Sequence, residues 1–178
     1  NPYIGDINGL GTWVGGNVPY VLDRPGLNMG NWQLAVNHYN TNTPIRLVDV
    51  TNVFPRPQYY IRVFRGVGCY GSLGRVNEFW TLQPSYQGNS LSLGTGCDSW
   101  LPTIVHEIGH NLGFQHTQKR SDRDLYVNVN YDNIQQSYWS QYDKTNDPLC
   151  GSYDCGSVMH YFDTAFGNGQ GKTMTAKS

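Results

Sequence analysis

The segment His106-Glu107-Ile108-Gly109-His110-Asn111-Leu112-Gly113-Phe114-Gln115-His116 constrains this chain more than any other feature. Residues four apart on a helix lie about 40° apart around the axis, so His106 and His110 share one face. Two imidazoles one turn apart reach a single zinc ion, and Glu107 stands beside them, placed to act on a zinc-activated water. His116 cannot join them on a continuing helix, because it would lie roughly 9 Å beyond His110 and about 240° around the axis. The chain has to break first. Gly113 permits the break, since glycine enters the left-handed conformation that ends helices without steric cost. The expectation is a helix that supplies His106 and His110, a turn at Gly113, and His116 returning as third ligand. Three protein ligands leave a coordination position open, which is the catalytic arrangement and not the closed structural one. Chance produces these five residue types at these spacings at fewer than ~1 in 10⁵ start positions. His38 and His160 lack such company.

The rest of the composition narrows the setting. At 178 residues the chain fits one domain, or at most two small ones, and can bury a sizeable core. Lys and Arg number 12 against 13 Asp and Glu, so there is no basic field for a nucleic acid. No apolar run approaches the roughly 18 residues of a membrane-spanning helix. Only 14% of residues are charged and 13% are aromatic; with an even cysteine count this reads as an oxidising, extracellular setting. No signal peptide stands at the start, which reads as a mature form. Cys69, Cys97, Cys150 and Cys155 allow three pairings, of which Cys69–Cys97 with the local Cys150–Cys155 is preferred.

Local patterns predict the elements. A turn and a short strand are expected over residues 11–22, a helix over 28–41, and strands at Ile45–Val50 and Tyr59–Val63. Gly66–Gly74 reads as irregular, Ser90–Leu93 as a half-exposed strand, and Trp100–Leu112 as the clearest helix, with Pro102 in its first turn. Beyond residue 117 polar sequence dominates, with a short helix expected within Ile134–Tyr142. The order gives an α+β fold.

Downstream, Ser157-Val158-Met159-His160-Tyr161 completes a pattern that resembles the metzincins, which pair the long zinc motif with a methionine turn. More narrowly, the sequence is similar to the astacin family of zinc metalloendopeptidases. The motif runs on through Gly113-Phe114-Gln115-His116 into Arg120-Ser121-Asp122-Arg123-Asp124-Leu125-Tyr126-Val127. Trp13–Tyr20 is similar to the family's mature N-terminal region, and Gly68-Cys69 and Gly96-Cys97 match its Gly-Cys pairs. The resemblance implies a metzincin-like catalytic domain over 1–178. It has an N-terminal subdomain (about 1–113) of twisted mixed sheet and two main helices, and a largely irregular, truncated or unusually small C-terminal subdomain (about 114–178). The zinc cleft is expected between them. It also implies one catalytic zinc on His106, His110 and His116, and Glu107 as general base and acid. Tyr161 becomes a switchable zinc ligand that stabilises the transition state, and Met159 the floor beneath the metal.

The implied function is a secreted zinc endopeptidase acting on proteins or peptides, a monomer held latent by a propeptide before activation. The alternative is a catalytically inactive zinc-containing module that binds extended peptides; retention of Glu107 argues against it. Substrate is expected on a sheet edge formed by Ser90, Leu91, Ser92 and Leu93. Two departures stand out. Thr117 occupies the place of the glutamate that usually anchors the mature N-terminus. The strand cysteine of many animal members is absent near Pro44-Ile45-Arg46, which with the lack of an N-glycosylation sequon reads as a bacterial-type member.

Overall fold

The computed structural model describes residues 13–23, 26–75 and 89–177. The chain divides into two compact units, Asn1–Phe114 and Gln115–Ser178. In the first, strands β1 (Asn17–Leu22), β2 (Arg46–Asp49), β3 (Ile61–Phe64), β4 (Cys69–Gly71) and β5 (Asn89–Leu93) form one sheet in the order β2-β1-β3-β5-β4. All pairings are parallel except β4 with β5, which is antiparallel. The mixed sheet and two helices make the α+β architecture expected of a metzincin catalytic domain.

Alternation along the strands builds the core. Val18, Tyr20 and Leu22 of β1, Ile61 and Val63 of β3, and Leu91 and Leu93 of β5 are all buried, as a period of two requires on one face. Helix α1 (Met29–Asn42) buries Trp32, Ala35, Val36 and Tyr39, the i, i+3, i+4, i+7 stripe. Its N-cap is Asn28, whose side chain accepts from the Asn31 N–H at 3.2 Å. Helix α2 (Leu101–Asn111) adds Ile104 and Ile108 to the same cluster. Polar ties hold α2 in place. Trp13 Nε1 donates to the Asn111 carbonyl at 2.9 Å, and Tyr39 Oη donates to the Val105 carbonyl at 2.9 Å. Asp98, ahead of α2, is buried and pairs with Arg65 at 2.7 Å.

Two expectations are corrected in this unit. Ser90–Leu93 is not an edge: β5 pairs with β3 on one side and with β4 on the other. The glycine-rich stretch read as irregular contains β4, whose Cys69, Tyr70 and Gly71 oppose Leu93, Ser92 and Leu91, so among the described residues β4, with β2 at the opposite side, is an edge strand. The Cys69–Cys97 disulfide is formed, with a Cα–Cα distance of 5.6 Å.

The second unit has little regular structure. Short 3₁₀ turns at Thr117–Lys119, Arg123–Leu125, Tyr131–Asn133 and Gln136–Tyr142 alternate with loops. The last lies within the expected Ile134–Tyr142 helix but winds with the tighter repeat. A small antiparallel ladder joins β6 (Val127–Val129) to β7 (Met174–Ala176). Its apolar cluster is Ile134, Tyr142 and Met174, with Val129, Tyr161 and Phe166 against it. The expected Cys150–Cys155 bridge is not formed; both are exposed free thiols. The intervening loop is held by other means. Arg120 donates to the carbonyls of Cys150 and Gly151 at 3.3 and 3.2 Å, Tyr153 is buried, and Asp154 Oδ1 accepts from the Gly156 N–H at 2.8 Å. Among the described residues, no helix is long and apolar enough to cross a membrane.

Candidate metal centre

The zinc motif folds as its glycine requires. Gly113 has φ of 101°. Its N–H donates to the His110 carbonyl at 2.9 Å, and the Phe114 N–H reaches back to the Gly109 carbonyl at 3.0 Å. These two bonds form a Schellman motif, which satisfies carbonyls left open at the end of α2 and turns the chain. His106, His110 and His116 then each offer a ring nitrogen, all within 4.8 Å of one another. Among the described residues this is the one group of at least three His, Cys, Asp or Glu side chains that can hold a metal ion.

The donor set fits a divalent ion. His110 Nδ1 faces the Phe114 carbonyl at 2.8 Å. A carbonyl only accepts, so Nδ1 carries the proton and Nε2 keeps its lone pair. Burial, and then the charge on neighbouring His106, push His110 down to about 4. It is therefore neutral at pH 7, the form that ligates a metal. The His106 and His110 rings meet edge to face, with centroids 4.6 Å apart.

Glu107 is buried, with 6% of its surface exposed. Burial pushes its carboxyl up to about 7, against a lowering hydrogen bond from the Gly71 N–H. Oε2 has no hydrogen-bond partner among the described residues. An unpaired buried carboxylate oxygen is costly in a structural position; on the helix that carries two of the histidines, it is what a proton-accepting group requires. Gly71 lies so close to α2 that a Cβ there would meet the Glu107 carbonyl oxygen and, at 2.6 Å, Asn111 Nδ2. The edge strand and the glutamate are thus locked together.

The methionine turn lies in the second unit. Met159 is buried, and its carbonyl accepts from the Thr117 N–H at 2.9 Å. The Tyr161 ring lies 4.4 Å from that of His116, and its hydroxyl donates to Gln141 Oε1 at 3.4 Å. Arg123 is buried. It braces this region through carbonyls: Nη1 donates to the carbonyl of Gln118 at 2.9 Å and to that of Tyr142. Its carboxylate partner is the adjacent Asp124, at 3.1 Å. The three histidines and Glu107 are legible in the sequence because their spacing is local, whereas Met159 and Tyr161 enter through the resemblance to the family. Gly71, Gln118 and Gln141 are not legible there, since each acts across a long sequence separation or without a periodic signature.

A helix bearing two histidines one turn apart, broken by glycine before a third, with a buried glutamate beside the pair, is the metal-site arrangement of the metzincin type. The chain belongs to the Astacin peptidase family, whose family model matches residues 7–178. It is 38% identical over 172 residues to zinc metalloproteinase nas-31 of Caenorhabditis elegans, a match covering 93% of this chain and 26% of that protein. Against meprin A subunit beta of Homo sapiens the identity is 40% over 166 residues, covering 90% and 22%. The chain thus spans about a quarter of the length of these curated relatives. Among solved structures it is similar to high choriolytic enzyme 1, a hatching enzyme zinc-protease of the medaka fish Oryzias latipes. That match has a TM-score of 0.77 and 30% identity, and covers 94% of this chain and 80% of that one. These relatives are animal proteins, and the bacterial-type reading finds no support in them.

Proposed function

We propose that this chain is the catalytic domain of a secreted zinc endopeptidase that hydrolyses peptide bonds of proteins. The observation that carries the reading is Glu107: a buried carboxyl with one oxygen unpaired, on the helix that presents His106 and His110. His106, His110 and His116 would hold the ion. Bound zinc supplies a Lewis acid that acidifies water and polarises the scissile carbonyl.

The rest is done by the chain. Glu107 works as the carboxylate, the form that a nearby dication would favour. Glu107 Oε2 takes a proton from the water as its oxygen attacks the carbonyl carbon. As the C–N bond breaks, the same carboxyl delivers that proton to the leaving nitrogen. The Gly71 N–H holds the carboxyl during both transfers. The Tyr161 hydroxyl donates to the oxygen on which negative charge develops, and Met159 packs beneath the site as an apolar support. An extended peptide pairs with β4, the antiparallel edge of the sheet. The two lysines beyond the methionine turn differ in their partners, a carboxylate for Lys172 and a neutral backbone carbonyl for Lys177. Lys172 pairs with Asp163 at 2.8 Å, and Lys177 Nζ donates to the Asp124 carbonyl at 2.5 Å. Secretion accords with the Cys69–Cys97 disulfide, and a propeptide that occupies the site before activation completes the reading.

Casein hydrolysis by the purified chain, with and without a chelator, tests this. Cleavage that stops on chelation and returns with added zinc is expected. Cleavage untouched by chelation would overturn the reading. One tightly bound zinc with no cleavage would favour the peptide-binding alternative.

A further inference from the structure

The main chain of Tyr161 is gripped on both sides by side chains. Its N–H donates to Gln118 Oε1 at 3.2 Å. Its carbonyl accepts from His160 Nδ1 at 2.7 Å. Each grip is itself braced. With Nδ1 facing a carbonyl, the neutral His160 ring leaves Nε2 to accept from the Tyr153 hydroxyl at 2.8 Å. Tyr153 is stacked on Tyr126, with centroids 4.8 Å apart and planes 8° from parallel. The Arg120 guanidinium sits 5.5 Å from the Tyr153 ring and makes two 2.9 Å bonds to Asp122.

Gln118 is fully buried, and its Nε2 has no hydrogen-bond partner among the described residues. A buried donor left unpaired opposes folding, and an apolar residue of similar volume would remove that cost. The acceptor of Gln118 is the part the structure uses.

We propose that Gln118 and His160 are positioning residues that clamp the Tyr161 peptide groups, so that the phenol moves by side-chain rotation alone from a fixed base beside His116. The inference rests on the role given to Tyr161 above. Without the clamp the backbone drifts, and the hydroxyl misses the oxygen it serves. A misplacement of about 1 Å in such a group costs up to ~10²-fold in rate.

The test uses the zinc-loaded enzyme, and in parallel the copper(II)-loaded form, in which a phenolate ligand gives a visible charge-transfer band. His160→Leu and Gln118→Met are each expected to lower kcat by ~10- to 100-fold with KM changed less than about threefold, and to weaken the band. His160→Asn keeps an N–H where Nδ1 stood and should recover most of both. Tyr153→Phe preserves volume and removes only the hydroxyl; it should show a smaller loss in the same direction, which guards against a folding artefact. If Tyr161→Phe abolishes kcat and the band while His160→Leu and Gln118→Met leave both near wild type, the clamp is refuted. If Tyr161→Phe itself keeps full kcat, the role of Tyr161 fails, and the inference with it.

Discussion

The two units of this chain are held together by different physics. The first is a sheet and two helices around a continuous apolar cluster running from Trp13 to Leu112. The second has Ile134, Tyr142 and Met174 as its apolar cluster. It depends instead on buried polar anchors: Arg123 on the carbonyls of Gln118 and Tyr142, and the Tyr142 hydroxyl on the Ala165 carbonyl at 2.6 Å. Burial of apolar area is non-directional and tolerant. A hydrogen bond to a buried carbonyl is directional, and costly when one partner is lost. The first unit therefore reads as a scaffold stabilised by bulk, and the second as a set of specified positions.

That comparison can be broken or sharpened experimentally. The largest stability effect belongs to the first unit. Trp32 is completely buried, and Trp32→Ala should cost ~3–5 kcal/mol, read from denaturant unfolding. A cost under ~1 kcal/mol would deny that its core is tightly packed. Next comes the disulfide. Cys69 and Cys97 are 28 residues apart, and loop-entropy reasoning assigns their link about 3–4 kcal/mol. Replacing both with alanine should lower the melting temperature, whereas replacing Cys150 and Cys155 should leave it unchanged.

Glu107 supplies a pH-dependent test inside the apolar unit. Its carboxyl is raised to about 7 when folded, so the folded metal-free protein holds that proton more tightly than the unfolded chain. The contribution to stability is fully present below the unfolded value of about 4.3 and is lost as pH rises through about 7. Glu107→Gln stays neutral throughout. In the metal-free protein the variant should therefore gain on the wild type between pH 5 and pH 8, by on the order of 3 kcal/mol. A stability difference flat across that range would contradict the burial of this group. The smallest contrast lies in the second unit. Arg123→Met should cost ~2–3 kcal/mol, because two buried carbonyls lose their donor, while Ile134→Val should cost only about 1 kcal/mol. If the isoleucine change proved the larger, the polar-anchor account of that unit would fail.

The same contrast explains what was legible in the sequence. Helix α1 shows its stripe of Trp32, Ala35, Val36 and Tyr39 in the sequence, and α2 carries its ligands at helical spacing. The metal site was legible because a metal imposes fixed local spacings, and Gly113 stands where the turn needs it. Strand β4 was not legible: three residues in a glycine-rich run become a strand only because β5 pairs with them. Nor were β6 and β7, whose short segments lie far apart in sequence. The Gly71 N–H on Glu107 and the grip of Gln118 and His160 on Tyr161 are contacts between side chains and backbone, and they leave no periodicity. Cys150 and Cys155 misled for the same reason. Their proximity in sequence suggested a bridge, while Arg120 and Tyr153 hold the loop by bonds that spacing does not show.

The most direct test of the central claim is Glu107→Gln in the zinc-loaded protein, with metal content and casein hydrolysis measured on the same sample. The three histidines are untouched, so one zinc per chain should remain, while loss of the proton acceptor should lower turnover by at least ~10²-fold. A variant that keeps its zinc and most of its activity would remove Glu107 from the chemistry and contradict the account.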